Sequence, residues 1–325
     1  MIRTRLTETF GIEHPVFSAP MARVAGGRLA AAVSGAGGLG LIGGGYGEAE
    51  WIRHELAEAG NARTGMGFIS WKLAQAGAPG EALLSEVLAR DPAVLFLSFG
   101  EMARFAAMAQ DAGVPVMAQV QDLAQARAAL SAGAVALVAQ GSEAGGHGAR
   151  RGTFSLVAEL ADLLAREAPG VLLLAAGGIA DGRGLAAALM LGAEGVLCGT
   201  AFWAADEALV PEGQRRAAMA ASGDATYRSH LWDVARGIDW PEGFDLRGMR
   251  TPFQEGWEGR LHALAADPQA LARWRAAAAE GDADIAGPIV GEGIGLVRRI
   301  RPAAEILTGM VAEAEALLGG GWQRT

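Results

Sequence analysis

The stretch AVLFLSFGEMARFAAMAQDAGVPVMAQVQDLAQARAALSAGAVALVAQ, residues 93–140, decides the fold. It holds three short apolar runs: AVLFLSF at 93–99, PVMAQV at 115–120 and AVALVAQ at 134–140. Two amphipathic stretches separate them, Glu101–Ala112 and Leu123–Ala132. The apolar runs lack a polar alternation, which is how strands covered on both faces read. Strand, helix and strand in this spacing imply parallel pairing through right-handed crossovers.

The same unit recurs on either side. Upstream, strands are expected at Val16–Met21, Leu39–Gly44 and Thr64–Ser70, with helices starting at Arg28–Ser34 and covering Glu48–Ala59 and Glu81–Ala89. Downstream, strands are expected at Val171–Gly177 and Gly195–Thr200, with helices at Ser155–Glu167 and Gly184–Leu191. Eight such units close a barrel of ~250 residues. An open doubly wound sheet is the competing arrangement, but it needs a reversal of strand order that eight successive units do not. The expectation is therefore an α/β fold, a (β/α)8 TIM barrel built from residues 1–205 and 288–325. A mostly helical insertion after strand 8, residues 206–287, interrupts it, and the last barrel helix returns at Pro302–Leu318. Residues 201–287 hold five of the eight tryptophans, at 203, 232, 240, 257 and 274. An exposed segment of this kind offers a lid over the site or a homodimer surface.

Composition removes several classes of function. Hydrophobic residues make up 51% of 325, enough for a large core, and the net charge is −9 with no run of Lys or Arg. Nucleic acid and an anionic membrane surface are not expected partners. No window is apolar enough, for long enough, to span a bilayer. The opening MIRTRLTETFGIEHPV lacks the apolar centre of a signal peptide. The single cysteine, Cys198, excludes an internal disulfide and suits a reducing compartment, so a cytoplasmic enzyme is expected. No HExxH or paired-cysteine spacing points to a metal. The GLGLIG at 38–43 has the glycine spacing of a dinucleotide fingerprint, but it lies inside an expected strand and reads as close backbone packing. Lys72, the only lysine, reads as a solvated or anion-facing side chain rather than a Schiff base.

Barrel enzymes place their chemistry at the C-terminal ends of the strands. There, Gly177-Gly178 and Gly199-Thr200 close two neighbouring strands. Glycine turns side by side can aim amide N–H groups at one phosphate. Strand six ends in Gln140, whose side-chain amide can both donate to and accept from a heterocycle. The loop GSEAGGHGARRG, 141–152, follows it. His147 in that loop is the candidate general base or hydrogen-bond donor, and Gly145, Gly146 and Gly148 leave room beside it for a flat ring. Glu143 either orients His147 or caps a turn. The aromatics of the insertion, Trp232, Trp240, Phe253 and Trp257, read as its own core.

These residues resemble a known family. QGSEAGGHG at 140–148 and AAGGIADGRGLAAALMLGAEGVLCGTA at 175–201 are similar to segments of the nitronate monooxygenases, once called 2-nitropropane dioxygenases. HPVFSAPM at 14–21, AAAVSGAGGLGLIG at 30–43, GMGFISW at 65–71 and GEGIGL at 291–296 are similar too, in the family's order. The resemblance implies FMN, held without a covalent bond. It implies that Ala19, Pro20 and Met21 line the flavin, that Gln140 meets the isoalloxazine, and that Gly67, Gly145 and Gly146 pass close to it. Gly177, Gly178, Gly199 and Thr200 would take the phosphate; Cys198 falls in the same set, although its thiol reads as buried and inert. His147 falls on the family's catalytic histidine. Phe68 stands where many relatives carry an Asn, and Leu197-Cys198 where relatives often have a Gln-containing pair. The implied reaction takes a nitronate or nitroalkane and O2: the nitronate gives an electron to FMN, and a carbonyl compound and nitrite leave. If propionate 3-nitronate is the substrate, an arginine should face its carboxylate, with Arg23, Arg150 and Arg151 nearest the mouth. Two other readings share these features: an NAD(P)H-dependent FMN reductase for quinone or enoyl substrates, and a non-catalytic barrel that binds flavin or a phosphometabolite.

Overall fold

The structure, a computed structural model, describes residues 1–321. Its strands in chain order are β1 (Val16–Ser18), β2 (Leu39–Gly43), β3 (Gly65–Ile69), β4 (Leu95–Ser98), β5 (Val116–Val120), β6 (Ala136–Gln140), β7 (Gly146–Gly148), β8 (Leu172–Ala176), β9 (Gly195–Cys198), β10 (Thr226–Ser229) and β11 (Asp245–Met249). Eight of them close a barrel in the order β1-β2-β3-β4-β5-β6-β8-β9. Every barrel pairing is parallel, and β9 returns to β1 through Phe17 opposite Leu197. All eight expected strands are present, each one to three residues shorter than its apolar run.

Two apolar layers hold the barrel. Phe17, Leu39, Leu41, Phe96, Met117, Val138, Leu174 and Leu197 fill its interior, and Leu6 and Phe10 of the helix Arg5–Phe10 join them. That helix plugs the N-terminal end, so the C-terminal mouth is the end left for chemistry. The outer layer packs strand residues such as Val16, Ile42, Leu97 and Leu137 against the helices, including the returning helix Ala303–Ala316. Gly40 shows why GLGLIG is a packing device. A Cβ there would stand 2.0 Å from the Ala30 carbonyl oxygen, so the glycine lets the helix Gly27–Gly35 lie against β2.

The segment after β9 is not purely helical. It carries β10 and β11, and these form an antiparallel sheet, in the order β10-β11-β7, with the three residues around His147. The rest is helical, with its own core of Tyr227, Leu231, Trp232, Leu246, Phe253, Leu264 and Trp274. No helix among the described residues is long and apolar enough to cross a membrane.

Candidate active site

His147 sits on β7, opposite Leu246 of β11. Its carbonyl accepts from the Gln140 side-chain amide at 3.0 Å. The ring is 8% exposed, and Trp240 from the insertion stacks on it face to face, with centroids 3.4 Å apart and planes 10° off parallel. Phe99 meets both rings edge-on, and Trp71 meets Trp240 in the same way. Trp240 Nε1 donates to the Tyr46 hydroxyl at 3.0 Å. Trp240, expected in the insertion core with Trp232 and Phe253, belongs instead to the barrel mouth.

The imidazole Nε2 lies 2.9 and 3.0 Å from the two carboxylate oxygens of Asp233. Asp233 is fully buried on the helix Leu231–Arg236, 86 residues away in sequence. Arg236 Nη1 stands 3.6 Å from Asp233 Oδ1, and His230 Nδ1 3.8 Å from Oδ2. Burial pushes the imidazole far below its ordinary range, and the charges of Arg236, Arg228 and His230 push the same way. Burial also lifts the Asp233 carboxyl to about 7, against the pull of Arg236 and His230. The pair therefore carries one shared proton near neutrality. When Asp233 is ionised the proton must stand on Nε2, since two acceptors cannot face each other at 2.9 Å. Nδ1, with no partner among the described residues, is then the basic nitrogen.

Gln140 is committed elsewhere. Its Oε1 accepts from Gln119 Nε2 at 3.1 Å and Gln121 Nε2 at 2.8 Å, while its Nε2 holds the His147 carbonyl. It ties β5, β6 and β7 together at the mouth. The buried Gln121 Oε1 has no protein partner, an acceptor left over for a donor from outside the chain. Glu143 is a cap: its carboxylate accepts from the Thr153 N–H at 3.0 and 3.1 Å and from the Thr153 hydroxyl at 2.9 Å, at the start of the helix Thr153–Glu167. Lys72 donates to Gln75 and lies over the Trp71 ring, on the surface.

The expected cofactor residues gather around this mouth. Ala19, Pro20, Met21, Gly145, Gly146, Gly177, Gly178, Gly199 and Thr200 are all partly exposed, directly beyond strands that are wholly buried. Gly177 and Gly178 have φ of +109° and +72°, open to glycine and strained for other residues. A Cβ at Gly199 would touch only Ala19 Cβ and Met21 Sδ, each at 3.7 Å, and one at Gly146 would touch nothing. The helix Thr200–Trp203 starts here, and its leading N–H groups have no acceptor within the helix. Open space above small residues, unsatisfied amides at one end and an orphaned amide oxygen at the other fit a flat heterocycle with a phosphate tail. Three of the glycines owe their size to the protein itself. A Cβ at Gly67 would collide with Pro20 at 2.4 Å, at Gly145 with the Gly291 nitrogen at 2.6 Å, and at Gly177 with Thr153 Oγ1 at 2.7 Å. Cys198 lies wholly buried within β9, and burial pushes its thiol up to about 12. The segment from Gly291 seals the site's flank: its N–H donates to Thr200 Oγ1 at 2.9 Å.

The arginines near His147 are not those the sequence nominated. Arg23 pairs with Glu48 and Arg151 with Glu159, and Arg150 is exposed. Arg236 and Arg228, both from the insertion, approach instead. Nothing local in the sequence marks them; only the topology brings residues 228–240 over a loop at 142–148.

Comparison with known proteins agrees with this geometry. Residues 3–65 and 81–313 match the family model described as nitronate monooxygenase. A nitronate monooxygenase of Metarhizium robertsii is 35% identical over 93% of this chain and 91% of its own length. One from Pseudomonas aeruginosa is 33% identical over 95% of this chain and 98% of its own. Among solved structures, FabK from Thermotoga maritima superposes with a TM-score of 0.83 at 29% identity, covering 99% of both chains. A nitroalkane oxidase from Streptomyces ansochromogenes gives 0.76 at 28% identity, covering 96% of this chain and 99% of that one.

Proposed function

Because the chain belongs to the nitronate monooxygenase family, and so is a flavin-dependent oxidoreductase, we propose that it oxidises alkyl nitronates with O2 to a carbonyl compound and nitrite, using FMN. The observation that carries this reading is the buried His147 held by Asp233 at 2.9 Å beside an open, glycine-lined mouth. FMN, when bound, supplies the electron acceptance and the reaction with oxygen. Gly178, Gly199 and Thr200 would hold its phosphate with backbone N–H groups. Ala19, Pro20 and Met21 would lie against its ring, and Gln121 Oε1 would accept from it.

The protein's own part is proton handling and positioning. Asp233 fixes the imidazole with its proton on Nε2, so Nδ1 faces the substrate as a base. A neutral nitroalkane gives its α-proton to Nδ1, and the imidazolium so formed is stabilised by the Asp233 carboxylate. A substrate that arrives as the nitronate needs no such step and takes a hydrogen bond instead. Trp240, Phe99 and Trp71 exclude water from the reacting carbon. The aromatic wall and the half-buried Arg236 favour a small, anionic substrate with a short apolar body; propionate 3-nitronate answers that description. We place the enzyme in the cytoplasm, where its one buried thiol stays reduced.

The test is an anaerobic visible spectrum of the FMN-loaded protein mixed with propionate 3-nitronate, beside His147→Ala. Rapid change of the flavin bands is expected in the parent; with nitroethane, a neutral nitroalkane, in place of the nitronate, the change should be slowed by about 10²-fold or more in the variant. No change with any nitronate, together with bleaching by NADH or NADPH, would overturn the reading in favour of an FMN reductase.

A further inference from the structure

Along Ser142–Gly148, every second carbonyl turns toward one guanidinium. Arg228 Nη2 donates to the carbonyls of Ser142 at 3.0 Å and Ala144 at 2.9 Å. Its Nη1 donates to those of Gly146 at 3.1 Å and Gly148 at 3.2 Å, and also to Asp245 of β11. Five carbonyls thus share the four N–H bonds of two nitrogens, which requires a three-centre bond at Nη1. Neighbouring Arg247 has a carboxylate, Glu292, at 3.0 Å, and its Nε shares the Ser142 carbonyl at 2.9 Å; the partners of Arg228 are neutral carbonyls, four of them in this loop and one on β11.

The pattern brackets the catalytic residue. The carbonyls before and after His147 both face Arg228, while the carbonyl of His147 itself is held from the other side by Gln140. The two peptide planes that flank the His147 Cα are therefore fixed from opposite directions. Gly145 and Gly146 supply little conformational restraint of their own, and Gly146 sits at φ +74°, so the shape of the loop rests on its contacts, those of Arg228 beside the β11 pairing and the Glu292 N–H on the Glu143 carbonyl. A planar fork of donors can span four alternate carbonyls; a lysine ammonium, a single point with three N–H bonds, cannot.

We propose that Arg228 is a positioning residue for the reaction, its guanidinium setting the backbone on both sides of His147 and so aiming the imidazole at Asp233 and the substrate. The inference rests on the reading of His147 as the group that meets the substrate. It makes the insertion part of the catalytic apparatus through its backbone contacts, in addition to Asp233.

The experiment uses the full-length, FMN-loaded protein as parent, Arg228→Lys and Arg228→Ala. Steady-state kinetics with nitroethane and hydrogen–deuterium exchange of residues 142–148 are both read. Arg228→Lys should lose about 10- to 100-fold in kcat with KM changed less than about threefold, as a misaimed group does. Exchange in 142–148 should quicken while the barrel strands keep parental protection. Guanidinium ion added to Arg228→Ala should restore kcat by about fivefold or more and leave the parent unchanged, a rescue that merely removing a structural contact does not produce. If Arg228→Ala does not fold, the lysine variant decides. Parental kcat in Arg228→Lys, or parental exchange in 142–148, would overturn the proposal. Should the parent itself fail to react with nitroethane or any nitronate, the functional reading falls, and the exchange data still decide whether Arg228 holds the loop.

Discussion

At the residue scale, the proton shared by His147 and Asp233 should set the pH behaviour if His147 is the base. Below about 7 the Asp233 carboxyl is protonated and hydrogen-bonds to Nε2, so the ring proton moves to Nδ1 and the base is lost. Above about 7 Asp233 is ionised, Nε2 is protonated and Nδ1 is free. The rate of neutral nitroalkane oxidation should therefore rise with pH, with a midpoint near 7 that belongs to the pair. A preformed nitronate, which needs no base, should show a much flatter profile. Asp233→Asn should flatten the nitroalkane profile and cut its kcat by about 10²-fold or more, while the nitronate loses less than about tenfold. Equal losses on both substrates, measured by stopped-flow flavin reduction, would show that Asp233 does not work through a base.

At the element scale, the glycine turns divide into those that serve packing and those that face the open mouth. Gly199 is the cleanest probe of the second kind. Its φ of −93° suits any residue, and an added Cβ would meet Ala19 and Met21 at an ordinary 3.7 Å. Gly199→Ala should change stability by less than about 0.5 kcal/mol. It should weaken FMN binding about tenfold, equivalent to ~1.4 kcal/mol, if the phosphate approaches this turn. Titration of the apoprotein with FMN and a melting curve give both numbers; unaltered FMN affinity would move the phosphate away from β9. The eight barrel strands were legible because each is a continuous apolar run, such as VLLLAAG before Gly178. β7 was not, because Gly-His-Gly has no period and becomes a strand only through β11. β11 itself, DLRGM, buries only Leu246 and Gly248, too weak a signal to stand out. His147 could be found from its place after a barrel strand. Asp233, Trp240 and Arg228 could not, because the short helix, strand and loop that carry them look like any small apolar core until the chain is folded back.

At the scale of the whole molecule, the barrel and the site differ in how far apart their parts lie along the chain. The eight barrel strands, β1 to β6, β8 and β9, pair with neighbours in order, and all are present by Cys198. The strand that holds His147 must wait for residues 245–247, about a hundred positions later. Contacts so separated form late, because chain closure must be completed first. On dilution from denaturant, far-ultraviolet circular dichroism should recover before nitroalkane oxidation does; recovery of both in a single step would contradict this order. During synthesis the same asymmetry acts in time. A ribosome that has released residues 1–198 has delivered every barrel strand, but not Asp233, Trp240, Arg228 or β11, which lock His147 in place. Chains abandoned partway should thus be catalytically silent, and turnover would become a certificate that translation ran past the insertion.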